Sequence, residues 1–132
     1  MTVLDASPMI AYLRAESGGE VVRSLLMDPN AKCVAHAINV MEVYYDFLRI
    51  SDGEAAEAAI ASLLTDGVVI RDEMDPEFWK DAGRLKVNHK LSVADTFCLA
   101  LARRLGCELY TTDHHEMDPL VGKNICKIRF IR

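Results

Sequence analysis

No CxxC pair occurs among the four cysteines, Cys33, Cys98, Cys107 and Cys126, and they form no Cys/His cluster with the close spacing of a structural zinc site. Each cysteine lies in an apolar stretch of the sequence. We therefore expect free thiols that fill the core, rather than a disulfide or a catalytic thiol.

Long apolar runs and an excess of positive charge are missing as well. No uninterrupted apolar stretch approaches the roughly 18 residues of a transmembrane helix, and no basic segment precedes an apolar run as in a signal peptide. We therefore expect a soluble, cytoplasmic protein without a membrane partner. Lys and Arg number 15 against 20 Asp and Glu, which excludes a nonspecific nucleic-acid coat protein but leaves a nucleic-acid enzyme open.

Glycine and proline are scarce, with 7 and 4 residues, whereas 51% of the 132 residues are hydrophobic. This balance excludes a disordered or collagen-like chain. The length is close to that of a single domain, so we expect residues 1–132 to share one core.

Short β-branched segments alternate with longer helical patterns, which predicts an α/β fold with a parallel sheet. The predicted strands are Thr2–Leu4, Lys32–Ala37, Val68–Arg71, Glu108–Thr111 and Cys126–Phe130. The predicted helices are Pro8–Ala15, with Ser7 as its N-cap, Gly19–Met27, Val40–Ile50, Gly53–Leu64, Pro76–Asn88 and Val93–Leu105.

The direction of the last of these helices follows from its end. Only Gly106 separates the helix Val93–Leu105 from the next strand, so the helix ends beside the start of that strand. It therefore begins at the opposite edge of the sheet, where parallel strands end. Asp95, in its first turn, lies at that edge.

Three further acidic residues are predicted at the same edge. Asp5 and Asp113 follow the first and fourth strands, and Glu42 lies in the first turn of the helix after the second strand. In open α/β sheets this edge is where ligands bind. Carboxylates packed together repel one another unless a divalent cation neutralises them, and oxygen-only ligands favour Mg2+ or Mn2+ over zinc. The chemistry implied is hydrolysis of a phosphodiester by a metal-activated water.

Three of these four acidic residues also have a structural interpretation. Asp95 and Glu42 each lie three residues after a possible cap residue, as in a capping box, and Asp113 can cap a short last helix. Asp5 directly follows a buried strand, where we expect no cap to be formed. Asp5 is therefore the strongest candidate for function.

At these positions the sequence resembles the PIN domain family, and within it the small VapC-like toxins of bacterial and archaeal toxin–antitoxin pairs. The motifs are ordered along essentially the whole chain: Val3-Leu4-Asp5-Ala6-Ser7, Asn39-x-x-Glu42-Val43, Ser92-x-x-Asp95-Thr96 and Thr111-x-Asp113. The resemblance implies three layers with a central five-stranded parallel sheet, and a toxin that is an Mg2+- or Mn2+-dependent endoribonuclease. It also implies a homodimer and an antitoxin whose C-terminal segment occupies the active-site groove.

This resemblance implies that Asp5, Glu42, Asp95 and Asp113 are catalytic residues and metal ligands. It implies a supporting role for the hydroxyl of Thr111. Two departures from the family stand out. Asn39 takes the place of a more common Ser or Thr, and His114 and His115 follow Asp113 where a basic or aromatic continuation is usual.

The residues around the last motif have open roles. We interpret His114 and His115 as solvent-facing residues at the start of a short helix, with phosphate contact or proton transfer as the alternative. Asp118, before Pro119, is interpreted as a helix cap, with an outer-shell carboxylate as the alternative.

Other side chains are weaker candidates. Asp46, one turn beyond Glu42, either extends the acidic site or is an exposed helical acid. Some aromatic residues can stack on bases, although at helical spacing they more often form core or dimer contacts. These are Tyr44, Tyr45, Phe47 and Trp79.

Two alternative functions belong to a different class. A phosphate-accepting receiver domain has a similar length and the same alternation of strands and helices, and it would use Asp72 after the third strand as its acceptor. A degenerate PIN fold that only binds RNA or a partner protein is the second alternative.

Overall fold

A five-stranded parallel sheet lies between two layers of helices in the computed structural model, which describes all residues from Met1 to Arg132. The strands are β1 Thr2–Leu4, β2 Cys33–His36, β3 Val69–Arg71, β4 Glu108–Thr111 and β5 Ile128–Phe130. The helices are α1 Ala6–Leu13, α2 Gly19–Met27, α3 Ala37–Ile50, α4 Gly53–Thr65, α5 Pro76–Asn88, α6 Val93–Leu105 and α7 His114–Met117, followed by a 3-10 turn over Asp118–Leu120. The predicted α/β class and its three layers are confirmed.

The strand order is β3-β2-β1-β4-β5, and all neighbouring strands are parallel. Central β1 pairs Val3 with Val34 of β2 and with Leu109 of β4. A receiver domain has the order 2-1-3-4-5, with its third strand inside the sheet. Here β3 is an edge strand, so the receiver interpretation with Asp72 as acceptor is wrong.

Two buried clusters cover the two faces of the sheet. Val3 and Leu109 pack against α5 and α6, for example against Phe78. On the other face, Leu4 packs with residues of α1 to α4, including Met9. Because neighbouring residues of a strand point to opposite faces, a sheet covered on both sides needs nearly continuous apolar strands, as the sequence shows.

Helix α1 begins two residues earlier than predicted, and Asp5 rather than Ser7 is its N-cap. Oδ1 of Asp5 accepts a 2.7 Å hydrogen bond from the backbone N–H of Ala6. The expectation that Asp5 forms no cap is therefore wrong. Pro8 is tolerated because the first backbone N–H groups of a helix have no partner within the helix.

Helix α3 also begins earlier, at Ala37, where strand β2 was predicted to continue. His36, the last residue of β2, caps it: Nδ1 of His36 accepts a 3.1 Å hydrogen bond from the N–H of Ile38. Histidine is not a typical N-cap, so the sequence pattern pointed to Asn39 instead. As a result Glu42 lies in the second turn of α3, and its capping-box interpretation is wrong.

The four cysteines carry free thiols and lie buried or half-buried. Burial raises the pKa of the Cys126 thiol to about 11 and raises that of Cys98 as well. These thiols therefore stay protonated at neutral pH, as expected for residues that fill the core. None of the helices combines the length and apolar character that crossing a membrane requires.

Candidate metal centre and active site

The carboxyl ends of the strands border a cleft of about 480 Å³ lined by acidic side chains. All four acidic residues predicted for the site line this cleft: Asp5, Glu42, Asp95 and Asp113. Asp46 and Glu116 are the other two acidic residues in the lining. The topological argument from strand exits and helix direction therefore correctly places these four side chains in one cleft.

Asp5 leaves the central strand and is the most buried carboxylate of the cleft, with 4% of its surface exposed. Its Oδ2 accepts a 2.9 Å hydrogen bond from the Thr111 hydroxyl, and Thr111 Oγ1 accepts one of 3.0 Å from the N–H of Asp113. Burial raises the pKa of Asp5 to about 6, although the hydrogen bonds from Thr111 and Ala6 oppose this shift. Thr111 thus links the ends of β1 and β4, and its supporting role in catalysis stays a prediction.

Asp95 lies in the first turn of α6, at the edge predicted from Gly106. Ser92 caps the helix, because its Oγ accepts a 3.2 Å hydrogen bond from the N–H of Asp95. The reciprocal half of a capping box is absent, since the N–H of Ser92 donates to the Glu116 carboxylate at 3.2 and 3.3 Å. The Asp95 carboxylate is therefore left for the cleft.

Asn39 holds Glu42 in place and is fully buried. Its Nδ2 donates to the carbonyl oxygen of Ala94 at 3.1 Å and to Oε1 of Glu42 at 3.4 Å. This amide joins α3 to α6 and so fixes Glu42 relative to the helix that carries Asp95. Burial, and then the charge of Asp5, raises the pKa of Glu42 to about 6.

Glu116 was missed by the sequence reasoning. Asp113 caps α7, as predicted, because its Oδ1 accepts a 3.0 Å hydrogen bond from the N–H of Glu116. Carboxylate oxygens of Asp95, Asp113 and Glu116 lie within 4.8 Å of one another. The spacing Asp113-x-x-Glu116 was the available signal, since residues three apart share a helix face.

The ligand atoms of the cleft fit a hard divalent cation. A second group within 4.8 Å combines Asp5, Asp95 and the Sγ of Cys98. That thiol donates to the carbonyl oxygen of Asp95 at 3.3 Å and stays neutral, so the remaining donors are carboxylate oxygens. Carboxylates with raised pKa values and mutual repulsion gain stability from a cation, and oxygen donors favour Mg2+ or Mn2+.

His114, His115 and Asp118 lie outside the cleft lining and are exposed. The ring of His114 stacks on Phe130, with 4.0 Å between the ring centroids. Its Nδ1 binds Oδ1 of Asp118 and its Nε2 binds the carbonyl oxygen of Arg132, both at 2.8 Å. The solvent-facing interpretation of the histidines is confirmed. Asp118 is the C-cap residue of α7, but it does not cap the turn before Pro119, whose N-cap is Met117.

The sequence matches the family model described as PIN domain over residues 2–118. This chain belongs to the PIN domain family. The match covers the motifs that carried the resemblance, from Asp5 to Asp113. No curated protein matches this PIN domain.

Several solved structures share the fold of this PIN domain. The VapBC2 structure from Rickettsia felis, bound to a DNA fragment from its promoter, has a TM-score of 0.77 at 12% identity and covers 98% of this chain and 97% of that one. A toxin–antitoxin complex from Klebsiella pneumoniae has a TM-score of 0.74 at 15% identity, over 100% and 98% of the two chains. The sarcin–ricin loop cleaving toxin VapC20 from Mycobacterium tuberculosis has 0.73 at 18%, over 90% and 95%. At such identities the likeness is one of fold.

Proposed function

We propose that this PIN domain is a metal-dependent endoribonuclease and the toxin of a toxin–antitoxin pair. The observation that carries the proposal is the convergence in one cleft of five carboxylates that lack an arginine or lysine partner, from the end of β1 and from α3, α6 and the α7 segment. A cleft of this composition repels an RNA phosphodiester unless divalent cations occupy it. The similar fold of VapC20, a toxin that cleaves the sarcin–ricin loop, supports the same reaction class.

The metal ligands we propose are Asp5, Glu42, Asp95 and Asp113, joined by Glu116, which the structure adds. Mg2+ is the expected ion and Mn2+ its substitute, because both prefer oxygen donors. Such an ion, when bound, supplies a water of lowered pKa and stabilises negative charge on a phosphodiester.

The residues behind the carboxylates act by orienting them. The Thr111 hydroxyl holds Oδ2 of Asp5, and the Asn39 amide holds Glu42. The N–H of Ser92 holds the Glu116 carboxylate. The Thr111 hydroxyl and the Ser92 N–H belong to other elements than the carboxylates that they hold, and Asn39 lies one turn before Glu42 on α3. These contacts fix the acids before any ligand arrives.

An antitoxin and a second copy of the chain are the proposed protein partners, and the cytoplasm is the proposed location. Two of the similar structures are described as a toxin–antitoxin complex and as VapBC2, which supports the antitoxin. The homodimer rests on the family resemblance. Light scattering of the purified chain tests it, and a monomer at micromolar concentration would contradict it.

Incubation of the purified protein with RNA and Mg2+ or Mn2+ tests the nuclease. We expect cleavage by the wild type, its loss on chelation, and its recovery when the metal is returned. Asp5→Asn and Asp95→Asn should be folded and at least about 100-fold slower. The proposal would be refuted if the wild type cleaves no RNA, or if both variants cleave it as fast as the wild type.

Metal binding gives a readout that does not depend on activity. Because a ligand that binds only the folded state raises its stability, Mg2+ or Mn2+ should raise the melting temperature of the wild type. The same additions should have a smaller effect on Asp95→Asn. Equal melting temperatures with and without metal would favour the degenerate PIN fold that only binds RNA or protein.

A further inference from the structure

One face of α3 runs along the acidic cleft, and its four side chains have the spacing i, i+3, i+4 and i+7. These residues, here called the α3 stripe, are Glu42, Tyr45, Asp46 and Arg49, and all four line the cleft. Glu42 lies at the end of the stripe beside the other proposed metal ligands. Seven residues of helix span about 10 Å, so Arg49 lies about that far along the cleft from Glu42.

Asp46 lines the acidic cleft but is paired with two arginines, so its interpretation as an exposed helical acid is wrong. Its Oδ1 accepts a 2.8 Å hydrogen bond from the Arg49 guanidinium. Its Oδ2 lies 2.9 Å from the Arg14 guanidinium and forms an ion pair with it, although the angles are not those of a hydrogen bond. The Asp46 side chain is only 15% exposed. The guanidinium of Arg14 also lies over the Phe47 ring, 4.4 Å from its centroid. This arrangement holds two guanidinium groups on one carboxylate and leaves one net positive charge.

Arg49 is the only positively charged side chain in the cleft lining. Its side chain is 69% exposed, although Asp46 fixes one of its nitrogen atoms. A guanidinium keeps further N–H donors in a planar fork that suits phosphate oxygens. Arg49 is therefore placed to bind a phosphate of the RNA other than the one at the cleavage point, farther along the cleft than the metal-binding carboxylates.

Tyr45 lies between Glu42 and Arg49 along the stripe and is 47% exposed. Its ring stacks on no other aromatic side chain of the protein. An exposed tyrosine face accepts an unpaired base of any identity, because every base has a π-face. In double-stranded RNA the bases are stacked inside the helix and cannot reach such a ring.

We propose that Tyr45 and Arg49 form a subsite for the nucleotide next to the scissile phosphate in an unpaired segment of RNA. Tyr45 stacks on the base and Arg49, positioned by Asp46 and Arg14, binds the neighbouring phosphate. The inference rests on the proposed ribonuclease function and assigns two residues of α3 to substrate binding outside the metal centre.

Steady-state cleavage of a short unpaired RNA by the full chain with Mn2+ tests the subsite. Tyr45→Leu and Arg49→Gln should each raise KM about tenfold, with a smaller change in kcat, because they remove binding outside the reacting centre. Tyr45→Phe should restore the wild-type KM, since the ring is kept. Arg49→Gln should also lower the salt dependence of log kcat/KM by about 0.7 per decade, as for one lost phosphate contact on a single strand.

Matched controls lie on α5, outside the cleft. Trp79→Leu removes another half-exposed aromatic ring and Arg84→Gln another exposed guanidinium. Both should keep the wild-type KM. Because Arg49 is mostly exposed, its variant should keep the fold, so the test remains decisive even if Tyr45→Leu fails to fold.

The outcomes separate this inference from the function on which it rests. If the wild type cleaves no RNA with either metal, both fail. If the wild type cleaves and the stripe variants keep its KM, the subsite alone is wrong. Unchanged KM together with an altered oligomeric state would assign Tyr45 and Arg49 to a contact between protein chains and would also overturn the subsite.

Discussion

Two groups of carboxylates in this molecule have opposite surroundings. On the outer side of α5 and α6, Asp75 binds Arg104 and Asp81 binds Arg103. The hydrogen bonds from Arg104 lower the pKa of Asp75 to about 2. In the cleft, burial and neighbouring carboxylates raise the pKa of Asp5 to about 6.

The two groups differ in how their negative charge is neutralised. A carboxylate that stabilises the fold is paired with a guanidinium from the protein itself. The cleft carboxylates, apart from Asp46, have no such partner, and the protein supplies only neutral donors such as the Thr111 hydroxyl and backbone N–H groups. The cleft therefore holds negative charge that the protein itself does not neutralise, whereas on the helical surface the charges are already paired.

The largest expected effect separates the two groups by activity. Asp95→Asn should lower the rate of RNA cleavage by about 100- to 1000-fold, because it removes charge from the proposed metal centre. Asp81→Asn, the same chemical change on α5, should leave the rate unchanged. Single-turnover assays with Mn2+ measure both. Similar losses in the two variants would mean that the cleft carboxylates have no special role.

The next effect concerns pH and the metal-free protein. The pKa of Asp5 is raised from 3.8 to about 6, so between these pH values the folded state holds a proton that the unfolded chain has released. Folded stability therefore falls as the pH rises through this window. Asp5→Asn cannot ionise and should be more stable than the wild type above pH 6, by up to about 3 kcal/mol.

Chemical denaturation of both proteins at several pH values measures this difference. The advantage of Asp5→Asn should disappear below about pH 4, where the wild-type carboxyl is protonated in both states. Addition of Mg2+ above pH 6 should stabilise the wild type and reduce the gap. A variant that is less stable than the metal-free wild type at pH 8 would contradict the account.

A smaller effect is expected at Thr111. Thr111→Val keeps the shape of the side chain but removes the donor to Asp5 and the acceptor for the N–H of Asp113. Cleavage should slow by about tenfold, a loss typical of one hydrogen bond to a charged group. Thr111→Ser should recover most of the rate. Equal rates for the serine and valine variants would show that the hydroxyl does not orient Asp5.

The smallest effect is expected for stability at the paired carboxylates. Asp81 forms a 2.7 Å contact with Arg103 and a 3.9 Å contact with Arg84, both partly in solvent. Asp81→Asn should lower the free energy of unfolding by less than about 1 kcal/mol, because water screens such pairs. Urea denaturation with and without added salt measures it, and a loss of several kcal/mol would show a stronger network than the exposure suggests.

The position of the site was predictable from the sequence because it depends on chain direction. Gly106 fixes the direction of α6, and with it the edge at which Asp95 lies. Apolar strands followed by Asp5 and Asp113 fix the same edge. These arguments need only periodicity, turn residues and the parallel sheet.

The contacts that hold the site were not predictable, because their partners lie far apart in the sequence. The Ser92 N–H belongs to a capping box by spacing, yet it donates to Glu116, 24 residues later. The Asn39 amide has the spacing of a cap, yet it binds Ala94, 55 residues later. His36 caps α3 without belonging to the usual cap residues. At Ser92 and Asn39 a tertiary contact takes the place of the expected local one, whereas the His36 cap is a local contact with Ile38.

The hydrogen bond between Thr111 and Asp5 joins positions that are 106 residues apart. Both lie where neighbouring strands end, so this bond cannot form until β1 and β4 have paired. A chain in which these two strands have not yet paired lacks the contact that orients Asp5. The proposed nuclease would therefore become active only after the sheet has formed.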